Sequence, residues 1–135
     1  MSATIELAVV GAHLSGFPLN HQLTGAGGEL LRKVATAPCY RLYALAGGPP
    51  ARPGLLRVAE GAGAQIETEV WGLDPAAFGS FVAAVPPPLT IGTVILADGT
   101  APKGFLVEPE GLVGAEDITQ FGAWRAYTAS WDRAR

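Results

Sequence analysis

Residues 9–16, VVGAHLSG, place one of the two histidines of this chain in a glycine-bounded turn directly after an apolar run. Glycine reaches positive φ without steric cost and lets a ligand approach the backbone closely. Such a turn can present backbone N–H groups and the titratable side chain of His13 to one small anion. The same string is also typical of a strand that ends in an ordinary loop, so other residues must decide between the two interpretations.

Six polar residues stand in apolar surroundings: His13, Asn20, Arg41, Tyr43, Glu69 and Lys103. Together they supply two cations, a proton carrier and several hydrogen-bond donors, which is the equipment for holding a small carboxylate. Each also has a structural interpretation, with the cations as solvated strand residues and the glutamate as a partner for one of them. Ser15 is interpreted as a turn residue, because it lies too close to His13 in sequence for a nucleophile and its base.

Length and composition narrow the class of protein. With 135 residues, 49% of them hydrophobic and 16% charged, we expect one domain spanning residues 1–135 and no disorder. No apolar run approaches the roughly 20 residues of a membrane helix, so we expect a soluble protein with no membrane partner. The nine Lys and Arg residues are scattered and the net charge is −3, which argues against nucleic acid as a partner.

The numbers and positions of the cysteine and histidine residues indicate the cellular compartment and whether a metal site is expected. A lone cysteine cannot form an internal disulfide, and no basic segment followed by an apolar run opens the chain, so we expect a cytoplasmic protein. The two histidines are eight positions apart with no carboxylate at a familiar offset, so we expect no metal site. The chain has no phosphate-binding loop and no dinucleotide fingerprint, and we expect no cofactor.

The 18 glycines and 11 prolines favour many turns and short strands. A short apolar run rich in β-branched residues predicts a strand at 5–10, and a strand at 55–58 is predicted after the turn at 52–54. Period-two alternation predicts strands at 40–45 and 66–71, with Glu67, Glu69 and Trp71 sharing one face of the last strand. A hairpin is predicted from 93–97 and 104–108 around the Asp98-Gly99 turn.

Two helices are predicted. Asp74 followed by Pro75 is typical of a helix start, and the buried stripe of this helix would be Phe78, Phe81, Val82 and Val85. The helix must end before Pro86. Asp117 could cap a second, short helix that contains Ile118, Phe121 and Trp124, although Gly122 weakens it, and residues from about 130 are expected to form a loose tail.

The order of segments resembles the C-terminal domain of allophanate hydrolase, a member of the gamma-glutamylcyclotransferase-like superfamily. The resemblance covers residues 5–128, and the strings that carry it are VVGAHLSGFPLNHQL, APCYRLYAL, RPGLLRV, IETEVWGLDPAAFGSFVAAVPPPL, IGTVILADGTAPKGFLVE and DITQFGAWRAY. It implies an α+β fold, a compact and mostly antiparallel β-barrel with a few short helices, with its ligand pocket beside the loop after the first strand. Cyclotransferases carry a glutamate just after the helix, and the segment FVAAVP has no carboxylate there.

The resemblance implies decarboxylation of a small N-carboxylated compound such as N-carboxycarbamate in urea or amide breakdown. His13 would be the general acid, and Gly11, Ala12 and Leu14 would form the substrate-binding loop. The other roles rest on position and chemistry: Arg41 and Lys103 as anion clamps, Asn20 and Tyr43 as orienting donors, and Glu69 to hold a clamp or orient His13. Only the His13 and loop assignments follow closely from the family motif.

Three functions therefore remain open. The first is the decarboxylase, with a small carboxylated metabolite as its ligand. The second is a non-catalytic module that senses a small carboxylate or docks on an amidase through apolar residues such as Trp131 and 86–88. The third is a cyclotransferase-type activity, for which Glu69 is the candidate acid and base. Because the chain contains no amidase machinery, a separately encoded amidase is a candidate partner, and a second copy of the chain is another.

Overall fold

The computed structural model describes residues 4–133 of the protein as two β-sheets with three α-helices. The strands are β1 (Ile5–Val9), β2 (Glu29–Ala35), β3 (Tyr40–Ala44), β4 (Pro53–Arg57), β5 (Glu67–Leu73), β6 (Leu89–Thr93), β7 (Lys103–Val107) and β8 (Glu116–Asp117). The helices are α1 (His21–Thr24), α2 (Pro75–Ala83) and α3 (Trp124–Arg133), with short 3-10 helices at Pro109–Leu112 and Thr119–Phe121. The mixed α+β class predicted from the sequence is confirmed.

Strand β1 lies in the middle of the larger sheet, whose order is β2-β5-β1-β7-β6. It pairs antiparallel with β5 and parallel with β7, while the other strand pairs in the described residues are antiparallel. Leu7, Ala8 and Val9 are almost fully buried, as expected for a strand covered on both faces. The predicted strand at 5–10 is therefore confirmed, and its central place carries the following loop into the interior of the protein.

The barrel implied by the resemblance is not confirmed. Within residues 4–133 the strands form the five-stranded sheet and a separate three-stranded sheet of order β4-β3-β8, and neither is closed. The two sheets approach closely where a Cβ at Gly54 of β4 would lie 2.7 Å from the Cβ of Val107 on β7. Glycine at position 54 is what permits this approach.

Strand β5 is buried more completely than its alternating sequence predicts. Thr68, Glu69 and Val70 are at most 1% exposed, so residues assigned to opposite faces are all covered. The reason is that β5 lies between β2 and β1, while the loop after β1 folds over the face that contains Glu69.

Helix α2 begins as predicted and ends slightly before the prolines. The Asp74 carboxylate accepts a hydrogen bond from the N–H of Ala77 at 2.8 Å and so caps the start of the helix. Ala84 is the C-cap residue. The apolar stripe is half-buried instead of buried, because Phe81 and Val85 face a cavity.

The predicted hairpin is displaced along its first strand. β7 pairs with β6, and the last pair joins Thr93 to Lys103. After Thr93 single hydrogen bonds still join the two sides of the hairpin, from the N–H of Val94 to the carbonyl of Pro102 at 2.8 Å and from the N–H of Leu96 to the carbonyl of Thr100 at 2.9 Å. Leu96 also forms a bridge with Thr36. The Asp98-Gly99 turn is present, with Gly99 at a φ of 87°.

Two further expectations differ from the structure. Gly122 adopts a φ of 70° and separates Thr119–Phe121 from α3, so the predicted single helix is two. Helix α3 continues to Arg133, so the expected loose tail from about 130 is wrong for residues 130–133, and its last two residues lie outside the described range. Among the described residues, no helix has the length and apolar character needed to cross a membrane.

Candidate functional site

A cavity of about 710 Å³ opens beside the loop that follows β1. Its walls come from this loop, the start of α1, the segment before β4, one side of α2 and strands β6 and β7. The polar side chains that line it are those of His13, Gln22, Arg52 and Ser80. Most of the remaining wall is apolar, and no acidic residue is among the described residues that form it.

His13 lies on the cavity wall between two aromatic rings. Its imidazole stacks on Phe105, with centroids 5.0 Å apart and planes 13° apart, and meets the edge of Phe81 at 5.1 Å. Its Nε2 lies 2.8 Å from Oε1 of Gln22, an acceptor, so Nε2 carries a proton. Nδ1 has no hydrogen-bond partner among the described residues and is not a buried unsatisfied atom, so it is the nitrogen available to a ligand.

The surroundings of His13 favour its neutral form. Burial lowers the pKa of the imidazole below the ordinary histidine value, and the positive charges of His21 and Arg52 lower it further. The hydrogen bond to Gln22 acts in the opposite direction and raises it. An anion bound next to His13 would favour the imidazolium, so ligand binding and protonation of His13 are coupled.

The loop that carries His13 is held by Glu69, which is 1% exposed. Its carboxylate accepts hydrogen bonds from the backbone N–H of Ser15 at 2.8 Å and from the Ser15 hydroxyl at 2.9 Å. The indole N–H of Trp71 donates to the same carboxylate at 3.1 Å, and a guanidinium nitrogen of Arg125 lies 3.5 Å away. Glu69, on β5, therefore holds the loop at Ser15, which is two residues after His13 in the chain. Glu69 itself does not line the cavity.

The two glycines of the loop are needed for different structural reasons. Gly16 has a φ of 84°, as the sequence interpretation required. Gly11 is needed for a close approach, because a Cβ there would lie 2.2 Å from the Cδ of Pro53. The loop consequently packs directly against the start of β4, and Gly11 and Ala12 both line the cavity.

Asn20 and Leu14 support the loop without lining the cavity. The Asn20 amide donates to the carbonyl oxygen of His13 at 2.9 Å, and Leu14 is 1% exposed in the core. The N–H of Leu14 donates to the carbonyl of Gly11 at 2.9 Å. The N–H groups of Ala12 and His13, in contrast, have no acceptor among the described residues, and both residues line the cavity.

Arg41 and Tyr43 lie on β3 in the smaller sheet, outside the cavity wall. The Arg41 guanidinium donates to the carboxylate of Asp117 at 2.8 Å and to the carbonyl of Ala62. The hydrogen bond to Asp117 raises the pKa of Arg41. Tyr43 is the strand partner of Asp117 on β8. The structure does not bring these two residues to His13.

Lys103 is exposed at the start of β7, and its ammonium group donates to the hydroxyl of Thr93 at 3.0 Å. It does not line the cavity. Of the residues expected to bind substrate, the structure therefore gathers Gly11 and Ala12 around His13, with Asn20 and Glu69 behind them in support.

Arg52 is the residue that sequence reasoning missed. It is half-buried, lines the cavity and has no ion-pair partner among residues 4–131. Arg52 belongs to the string RPGLLRV, where the Pro-Gly pair indicated only a turn. The same string was among those that carried the family resemblance, which is the signal that could have identified it. Within the described residues, no three potential metal-binding side chains cluster together.

Comparison with known proteins decides the family. The model of the allophanate hydrolase C-terminal domain matches residues 5–129. The chain belongs to this family. The resemblance that the sequence motifs indicated is thereby confirmed, and the site described above is that of an allophanate hydrolase C-terminal domain.

Relatives of this domain occur in larger proteins and alone. Urea amidolyase from Saccharomyces cerevisiae is 45% identical over 129 residues, which are 93% of this chain and 7% of that protein. Allophanate hydrolase from Kluyveromyces lactis is 43% identical with a TM-score of 0.91, over 95% of this chain and 21% of that one. A uropathogenic E. coli-specific protein is 37% identical with a TM-score of 0.86, over 94% of this chain and 97% of that one.

The fold is also similar to that of solved structures with low sequence identity. An AIG2-like protein from Mus musculus is 17% identical with a TM-score of 0.56 over 81% of this chain, a likeness that concerns the fold alone. The chain spans only a small part of the urea amidolyase and the allophanate hydrolase that it matches.

Proposed function

We propose that this domain binds a small N-carboxylated compound in the cavity beside His13 and removes its carboxyl group as carbon dioxide. N-carboxycarbamate, from the breakdown of urea, is the proposed substrate. The observation that supports this most directly is the combination of a half-buried histidine and an arginine, which has no ion-pair partner among residues 4–131, in one cavity whose described walls contain no acidic residue. A cation in an apolar cavity attracts a carboxylate, and the histidine can move a proton.

The proposed reaction breaks one carbon–nitrogen bond. The electron pair of that bond remains on nitrogen as carbon dioxide leaves, and nitrogen takes one proton, so the products are carbon dioxide and carbamate. The imidazolium of His13 would donate this proton from Nδ1, because Nε2 is engaged by Gln22. After donation the neutral imidazole is the form that burial already favours.

The remaining residues would hold the substrate still. Arg52 would bind the carboxylate that stays on the molecule, since a guanidinium matches the geometry of a carboxylate. The free N–H groups of Ala12 and His13 would bind oxygen atoms of the substrate. Phe81 and Phe105 exclude water from one side of the imidazole, which strengthens the electrostatic interactions in the site.

Carbon dioxide release from N-carboxycarbamate, generated in place by an amidase, tests this function. We expect acceleration over the spontaneous rate, a loss of about 10²–10⁴-fold in His13→Gln, and near wild-type rates in the exposed control Arg57→Gln on β4, outside the cavity wall. Because the donor is the imidazolium, the rate should fall as the pH rises through the pKa of His13 in the complex. A wild-type rate equal to that of His13→Gln would contradict the proposal.

A cyclotransferase-type activity has less support. Its acid and base would be a carboxylate in the cavity, and Glu69, the candidate, is occupied by Ser15 and Trp71 behind the loop. Glu69 is therefore not placed to act on a ligand in the cavity.

The second proposal from the sequence, an amidase as partner, is supported by the larger relatives. In the Kluyveromyces lactis allophanate hydrolase this domain accounts for 21% of the chain. Trp131 on α3 is 40% exposed and offers an apolar contact. We propose that an amidase binds here. Sedimentation of this protein mixed with the amidase should show a complex that Trp131→Ser weakens, and the absence of any complex would contradict this.

A further inference from the structure

We propose that the cavity accepts N-carboxylated amines and carboxylates that carry one anionic group and an apolar substituent, in addition to a compact dianion such as N-carboxycarbamate. This inference rests on the proposed function, because it concerns the same site and the same chemistry. It names a broader substrate class, R–NH–COO⁻, in which R is an alkyl group of several carbons.

The cavity is larger than N-carboxycarbamate requires. The cavity volume is about 710 Å³, within the roughly 300–1,000 Å³ typical of sites for drug-sized ligands. N-carboxycarbamate consists only of two carboxylates joined through one nitrogen, so it would leave most of this volume to water. A ligand with an added alkyl group would fill the space with contacts.

The chemistry of the cavity walls favours an apolar substituent on the ligand. Beyond the polar side chains of His13, Gln22, Arg52 and Ser80, the cavity is bounded by apolar side chains that include Leu19, Phe81, Val85, Leu89 and Phe105. Water against such a wall is released when an alkyl chain covers it, which favours binding. A second carboxylate placed there would lose its hydration without gaining a hydrogen bond.

The charge of the described lining residues also favours a ligand with a single carboxylate. Arg52 is the cationic side chain that lines the cavity, apart from His13 itself, and no acidic side chain among the described residues opposes it. One permanent cation neutralises one carboxylate. The site therefore matches a monoanion with an apolar remainder better than it matches two carboxylates.

The reaction of such a ligand is the one already proposed. The carbon–nitrogen bond of R–NH–COO⁻ breaks, its electron pair stays on nitrogen, and nitrogen receives the proton of the His13 imidazolium. The products are carbon dioxide and the amine R–NH₂, and no oxidant or reductant is needed.

Binding of acetate, butanoate, hexanoate and octanoate to the whole chain, measured by isothermal titration, tests the substrate class with unreactive probes. Each two-carbon step should lower Kd, by up to roughly fifteen-fold if both methylenes are fully buried. Pentylammonium, which has the same pentyl tail as hexanoate and the opposite charge, should not bind. Equal Kd values across the series, or equal binding of pentylammonium and hexanoate, would overturn the inference.

A matched pair of variants locates the tail. Ala84 and Ala83 are both exposed at the end of α2, and of the two only Ala84 lines the cavity. Ala84→Glu should weaken octanoate at least ten-fold and leave acetate almost unchanged, and Ala83→Glu should leave both unchanged. If Ala84→Glu leaves the Kd of octanoate unchanged, the tail does not lie on this wall and the inference is wrong.

Turnover of N-carboxycarbamate by the same preparations separates this inference from the proposed function. Turnover together with a flat series of Kd values would overturn the inference and leave the function intact. Chain-length dependence without turnover would support the apolar ligand class and contradict the decarboxylation of N-carboxycarbamate.

Discussion

At the scale of residues, His13 is a histidine whose protonation depends on what occupies the cavity. Without a ligand, burial and two nearby positive charges lower its pKa. A bound carboxylate would oppose these effects and favour the imidazolium. In the proposed reaction the histidine would therefore donate a proton when a substrate is present, and its neutral form is favoured when no anion is bound.

The lowered pKa of His13 predicts how stability changes with pH. Since the unfolded chain binds the proton more tightly, the stabilisation from neutral His13 is complete above pH of about 6.5 and is lost as the pH falls through the folded-state pKa. Urea unfolding of the wild type and His13→Gln from pH 8 to 5 should show this difference. An NMR titration should place the His13 midpoint below about 6.5, and a midpoint at or above that value would contradict the account.

Glu69 predicts a second effect at this scale. In Glu69→Gln the amide group cannot accept all the hydrogen bonds from Ser15 and Trp71, and Arg125 loses its nearby charge. We expect a loss of about 2–4 kcal/mol in the free energy of unfolding.

Glu67→Gln is the matched control, because Glu67 is exposed on the same strand. It should change the free energy of unfolding by less than about 0.5 kcal/mol. Equal effects of the two variants in urea unfolding would show that the buried carboxylate does not hold the loop.

The residues of the site were only partly predictable from the sequence. The VVGAHLSG pattern indicated His13 and the loop, because a strand followed by a glycine-bounded turn is a local signal. Arg41 and Lys103 were chosen by charge, and the sequence does not show that β3 lies in a separate sheet or that Lys103 turns to Thr93. Arg52 reaches the cavity through tertiary packing, which no local pattern reveals.

At the scale of elements, β1, β4 and α2 build the cavity from three directions. The loop after β1 packs on Pro53 of β4 because Gly11 has no side chain. Helix α2 was predictable because its Asp74 cap, proline and apolar spacing are all local. Strand β2 was not predicted, since an edge strand with exposed Leu30 and Leu31 lacks the alternation of a half-buried strand.

Two glycine-to-alanine substitutions should change the free energy of unfolding in opposite directions, and so test how closely the backbone packs at each site. A Cβ at Gly79 in α2 would meet no heavy atom within 4 Å, so Gly79→Ala should stabilise the protein by about 0.5–1 kcal/mol. Gly11→Ala should destabilise it by about 1–3 kcal/mol, because its Cβ would overlap Pro53. Thermal and urea unfolding of both variants measure this, and a neutral Gly11→Ala would refute the close approach.

At the scale of the whole molecule, two open sheets and three helices place one loop over a cavity. The resemblance predicted the family and the α+β class, but the barrel it implied is not found in the described residues. The long-range pairing of β1 with β7 and the separation of β3 into a second sheet depend on contacts between distant segments. Such contacts decide which of the charged residues can reach a ligand.

We expect the cavity beside His13 to bind a carboxylated compound through Arg52. Malonate, in which a methylene replaces the nitrogen of N-carboxycarbamate, cannot undergo the same carbon–nitrogen cleavage and is therefore a suitable probe. Isothermal titration should give a Kd that Arg52→Gln raises by at least about ten-fold and that Arg57→Gln, an exposed control on β4, leaves unchanged. The same Kd for the wild type and Arg52→Gln, or no binding of malonate by the wild type, would contradict it.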